Sequence, residues 1–106
     1  MSKLSDEFSV NLRLDQASSA CREAIESIGW KVESAEPTRI VTKVGFGLTR
    51  NPSKIEVLVN DLGPAEASVR LNGKIFGMGP VQKSHLTKEM ERLRNAIESS
   101  ARQAEQ

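Results

Sequence analysis

Apolar and polar residues alternate strictly from Phe8 to Leu14, with Phe8, Val10, Leu12 and Leu14 on one side and Ser9, Asn11 and Arg13 on the other. A period of two marks a half-buried strand. Residues 1–6 are polar and predict a frayed end. At Asp15 the period changes. Ala17, Cys21, Ala24 and Ile28 recur at helical spacing with Ile25 beside them, and Asp15 is placed to cap the first-turn amides. This predicts a helix over about 16–28. Gly29 suits the left-handed position past a helix end, and Trp30 then falls where the capping motif returns an apolar residue to the last turn, near Ile25. The small residues of this helix predict close packing on a sheet.

Four more alternating stretches follow. Trp30 and Val32 oppose Lys31 and Glu33, and Pro37 predicts a turn. Ile40, Thr42, Val44 and Phe46 oppose Arg39, Val41 and Lys43. Gly45 and Gly47, with the stretch from Leu48 to Lys54 that contains Asn51-Pro52, predict a loop. Ile55, Val57 and Val59 oppose Glu56, Leu58 and Asn60, and Asp61-Leu62-Gly63-Pro64 predicts a turn. Ala67, Val69, Leu71 and Ile75 oppose Ser68, Arg70, Asn72 and Lys74. After a glycine-dense corner, Leu86, Met90, Leu93 and Ile97 form one helical stripe. Ser84 is a candidate cap and Pro80 a candidate earlier first turn. The opposite face, with Lys88, Glu91, Arg92, Arg94, Asn95 and Glu98, reads as solvated, as does Glu89. Residues after Ala101 are expected to be ragged.

Short connections make neighbouring strands antiparallel hairpins. One apolar sheet face needs cover, which two helices supply. The expected fold is therefore an α+β two-layer sandwich. It has a five-stranded antiparallel sheet in the order β-α-β-β-β-β-α and a long C-terminal helix. One domain spans 1–106, with an ordered core of about 7–101. This element order resembles the TATA-binding-protein-like fold and the helix-grip fold of Bet v 1 and START-type ligand carriers. Gly77-Met78-Gly79-Pro80, followed by His85-Leu86 and a long helix, looks like the end of a small helix-grip domain. The likeness rests on topology and assigns no functional residue.

Composition narrows the function classes. Fifteen Lys and Arg against fourteen Asp and Glu give a net charge of +1, so no global field recruits nucleic acid or an anionic membrane. No run reaches the roughly twenty apolar residues of a membrane span. The first ten residues lack a signal-peptide core and Cys21 cannot form an internal disulfide, so a cytoplasmic protein is expected.

Catalytic chemistry is sparse. His85 is the sole histidine and lies some sixty residues from Cys21, which reads as a small buried hydrophobe. Two such ligands without close spacing make no zinc set. Carboxylate pairs such as Glu23 with Glu26 and Glu89 with Glu91 read as helix-surface charge. The segment Gly73 to Pro80 lacks the spacing of a phosphate loop and reads as a strand-to-helix corner. The chain is expected to be no enzyme and to hold no cofactor and no metal.

Two surfaces remain as binding candidates. The Gly45–Lys54 loop offers Phe46 and Leu48 beside Arg50 and Lys54, although Phe46 can equally finish its strand and enter the core. The polar sheet face offers Arg13, Lys31, Lys43, Arg70 and Lys74, with Glu33 and Glu56 among them. No aromatic residue interleaves there, which disfavours nucleic acid. The expected function is a non-enzymatic binding or protein-interaction module, with a protein partner or a second copy in a homodimer. The alternatives are a carrier of a small apolar ligand under the last helix and a nucleic-acid binder on the basic face.

Overall fold

A computed structural model of the chain describes residues 2–44, 52–75 and 80–105. The elements run β1 (Ser2–Val10), α1 (Leu14–Ser27), β2 (Lys31–Glu36), β3 (Arg39–Val44), β4 (Ser53–Gly63), β5 (Glu66–Ile75) and α2 (Pro80–Ala104). The strands form one antiparallel sheet in the order β1-β5-β4-β3-β2. Both helices pack on one face and also touch each other, α2 over β1 and β5 and α1 over β2, β4 and β5. This is the expected two-layer α+β sandwich. The crossover through α1 carries β2 to the far edge, and three hairpins bring β5 back beside β1.

The core repeats the apolar pattern. Ala17, Ala20, Cys21, Ala24 and Ile25 of α1 are buried against the sheet. Ile55, Val57 and Val59 of β4, and Val69, Leu71 and Ile75 of β5, join Leu86, Met90, Leu93, Ile97 and Ala101 of α2 in one buried cluster. The α1 terminus behaves as expected. Gly29 has φ +78°, Trp30 N–H donates to Ile25 O at 3.1 Å and Gly29 N–H to Glu26 O at 3.0 Å. These two bonds satisfy the last carbonyls of the helix.

Several boundaries differ from the periodic reading, each for a tertiary reason. β1 starts at Ser2 instead of Phe8, because its whole length pairs with β5 from Ser2↔Ile75 to Val10↔Ala67. The acid at Asp6 hides the alternation of Leu4, Asp6, Phe8 and Val10. Asp6 can sit on the inner side because Arg94 of α2 donates to both its oxygens at 3.1 and 2.9 Å. Leu12 is buried in the link and Leu14 opens α1. Arg13 therefore occupies the N-cap, without a side-chain cap bond, and Asp15 falls inside the first turn.

β4 begins at Ser53, so Ser53 and Lys54 belong to a strand and not to a loop. The same strand runs on through an irregularity at Asp61/Gly63, and the β4–β5 turn is Pro64-Ala65. α2 starts at Pro80, where the missing amide costs nothing, and Ser84 lies within it. It continues as helix to Ala104, past the expected ragged point.

Candidate functional site

The outer face of the sheet carries the ordered polar chemistry. Outward residues recur every second position, and the register aligns them in rows across the strands. Lys31 opposes Lys43, Lys43 opposes Lys54, Lys54 opposes Lys74 and Lys74 opposes Lys3. One lysine from each of the five strands thus stands in a single row. At the usual strand spacing the row is about 19 Å long. Lys3, Lys31, Lys54 and Lys74 are exposed and Lys43 is half-buried. Glu33, at the β2 irregularity, reaches Lys54 at 3.3 Å.

The next row inward along the strands is Ser5, Asn72, Glu56, Val41 and Ser34. Its side chains join in a chain. Ser5 Oγ donates to Asn72 Oδ1, Asn72 Nδ2 donates to Glu56 Oε1 at 3.3 Å, and Arg39 Nε donates to Glu56 Oε2 at 2.6 Å. The Arg39 bond, helped by Asn72 and by the charges of Arg39 and Lys74, outweighs partial desolvation and holds the Glu56 carboxyl below its usual range. A third row holds Glu7, Arg70, Leu58, Arg39 and Glu36, with Arg70 3.4 Å from Glu7. Glu56 and Glu7 are thus engaged by Arg39 and Arg70 respectively.

The depressed Glu56 group has a signed consequence. Its contribution is present above the unfolded pKa and is lost as pH falls through the lower folded value. Acid unfolding of the wild type should therefore include a component below about pH 4.5 that Glu56→Gln removes. Urea titrations at pH 7 and at pH 3.5, run on both proteins, check this. The gap between the two proteins should narrow at the lower pH.

The candidate residues distribute unevenly. Lys43, Lys54 and Lys74 come together in one row, while Arg70 stands two rows away. Arg13 is not on the sheet face: it sits at the start of α1 and pairs with Asp15 at 3.3 Å, because the chain has already left β1. Phe46, Leu48 and Arg50 lie outside the described residues. Lys3 was masked by the polar run at the N-terminus. Extending the alternation back through Leu4 would have recovered it.

The layer between sheet and helices is mostly aliphatic. At Gly73 the helix leaves no room for a side chain: a Cβ built there would stand 2.8 Å from Met90 Sδ and 2.9 Å from Leu86 Cδ1. Glu89 is buried there instead of solvated, because it points from α2 toward β4 and accepts a 2.7 Å bond from Ser53 Oγ. Among the described residues no cluster of His, Cys, Asp and Glu could hold a metal, and no helix is long and apolar enough to cross a membrane.

Cys21 is fully buried on α1, and desolvation pushes its thiol up to about 12. The nucleophilic thiolate is therefore scarce at neutral pH. A disulfide reagent such as Ellman's should modify native protein at least about a hundredfold more slowly than urea-unfolded protein. Equal rates would contradict the burial.

No protein-family model and no curated protein matches the chain. Solved structures match in shape. A START superfamily protein from Mycobacterium smegmatis is 16% identical over 96% of this chain and 98% of its own, with a TM-score of 0.70. The di-domain aromatase/cyclase BexL of the BE-7585A biosynthetic pathway has the same TM-score at 13% identity. This chain covers 94% of its own length but spans about half of that protein, 46%. The Aha1 dimer from Colwellia psychrerythraea reaches a TM-score of 0.68 at 8% identity, over 95% of this chain and 96% of that one. At these identities the likeness establishes the helix-grip fold of START and Bet v 1-like proteins and nothing finer. The expected helix-grip resemblance is thus confirmed as fold.

Proposed function

We propose that this helix-grip chain is a non-enzymatic binding module that meets its partner with the outer face of the sheet. The observation that carries the reading is the direct seating of Leu86 and Met90 on Gly73, which fills the space between helix and sheet at that point. Ile55, Val57, Val69 and Leu71 complete that layer without exposure. Pockets for small molecules need some hundreds of Å³ between such layers. The outer face, by contrast, presents three ordered polar rows to solvent.

The test separates surface from interior. Purified protein is denatured, extracted into organic solvent and analysed by mass spectrometry. In parallel, native protein is titrated with laurate and followed by amide chemical shifts. The surface reading expects no stoichiometric apolar compound and no saturable shift of Leu71, Met90 or Leu93. A stoichiometric ligand, or saturable shifts at those three residues, would establish an interior carrier and overturn it.

A further inference from the structure

From the five-lysine row we infer a partner class: an acidic polypeptide segment, rich in Asp or Glu, lying across the strands along Lys31, Lys43, Lys54, Lys74 and Lys3. The inference rests on the surface-binding reading above and names its occupant.

The row needs an explanation, because like charges directly opposite one another on adjacent strands disfavour pairing. Here four successive cross-strand pairs are Lys–Lys. Lysines on edge strands are a common protection against edge-to-edge association. That accounts for Lys3 on β1 and Lys31 on β2. It does not account for Lys43, Lys54 and Lys74, which stand on the three interior strands. Neighbouring ammonium groups lie well within one screening length, so they reinforce each other as a site for anions.

The shape of the charge selects the anion. The basic row is one residue deep. The row beside it contains Glu56, and the third balances Glu7 and Glu36 against Arg70 and Arg39, so neither adds net positive charge. A duplex or a lipid surface is broad and would press on those carboxylates as well. A single nucleic-acid strand would want aromatic side chains for stacking, yet the aromatic residues among the described ones, Phe8 and Trp30, pack against the core. A narrow, flexible polyanion about 19 Å long can track the lysines, exchanging with exposed Glu33 for Lys54. Lysine, a compact charge on a long stem, suits carboxylates that need no fixed geometry. In such contacts charge complementarity mainly sets encounter and register.

The experiment uses the full chain and fluorescence anisotropy of a labelled oligoglutamate peptide. Binding is expected at about 50 mM salt and should weaken about tenfold by about 200 mM. Lys43→Gln, Lys54→Gln and Lys74→Gln together should weaken it at least about tenfold, with circular dichroism checking that the native fold is kept. Lys74→Gln alone, which folds with less perturbation, should lose severalfold. Lys83→Gln with Lys88→Gln, exposed on α2, should keep wild-type affinity within about twofold. A labelled oligothymidylate and vesicles of phosphatidylcholine with one-third phosphatidylserine are run beside the peptide.

Absence of peptide binding at low salt overturns the inference, as does binding that the row substitutions leave unchanged. Tighter binding of the oligonucleotide or the vesicles, released by those same substitutions, overturns the polypeptide assignment in their favour. Each of these results can occur in protein that carries no apolar ligand, so failure here is distinct from failure of the surface-binding reading.

Discussion

Leu93→Ala should lower the free energy of unfolding by about 3–4 kcal/mol, read from urea denaturation at neutral pH. Leu93 is fully buried in the middle of the α2 stripe, with Leu86, Met90 and Ile97 on the same side. Truncation removes the transfer free energy of the side chain and leaves a void that a helix fixed by buried Leu86, Met90 and Ile97 on either side cannot easily close. At about 4–8 °C per kcal/mol the melting temperature should fall by more than about 10 °C. Chains of this size are stable by roughly 5–15 kcal/mol, so a large fraction is lost. Leu62→Ala makes the contrast. Leu62 is 55% exposed at the β4 irregularity, and its loss should stay within about 0.5 kcal/mol. Equal effects at the two positions would mean that α2 is not seated on the sheet.

Gly73→Val should destabilise by about 2–3 kcal/mol even though valine favours strands and glycine weakens them. Gly73 lies in β5 between Leu4 of β1 and Ile55 of β4, on the inner face. The absent side chain is the space that Leu86 and Met90 occupy, with the 2.8 and 2.9 Å approaches given above. The Met90 sulfur, in a flexible unbranched side chain, can yield, whereas the Leu86 methyl is fully buried and has less room. Gly73→Ala should therefore cost less, about 1 kcal/mol. Combining it with Met90→Ala should cost less than the sum of the single changes, a coupling that a double-mutant cycle measures. A stabilising Gly73→Ala would show open space above β5. It would also remove the support for the closed-interior reading.

Arg94 shows how one side chain settles a boundary. It donates to Glu98 at 2.7 Å and to both oxygens of Asp6, and its guanidinium lies 4.8 Å from the centre of the Phe8 ring. These acceptors hold it more firmly protonated, Glu98 first and Asp6 second. Asp6 and Arg94 are 88 residues apart. Nothing local to Asp6 announces that an acid there belongs to the inner side of a strand, so the periodic reading starts β1 six residues late. Glu89 is the same case in reverse. It sits on a helix among Lys88, Glu91 and Arg92, which reads as a solvated face. It is buried because Ser53, 36 residues away, supplies its partner.

What was legible in the chain follows from local physics. Apolar period two and period 3.6 mark five strands and two helices, because burial on one face imposes those spacings on any sequence that folds this way. Gly29 and Trp30 specify the end of α1 because the left-handed residue and the apolar residue after it are local requirements. Element order and short hairpin connections then leave few arrangements besides a two-layer sandwich. The tertiary structure alone decided what lies beside what. Strand register is a long-range property, set when the inner faces of β1, β5, β4, β3 and β2 are buried together. That common burial aligns residues 3, 74, 54, 43 and 31, which no window of the sequence places near one another, into one row of charge on the opposite face.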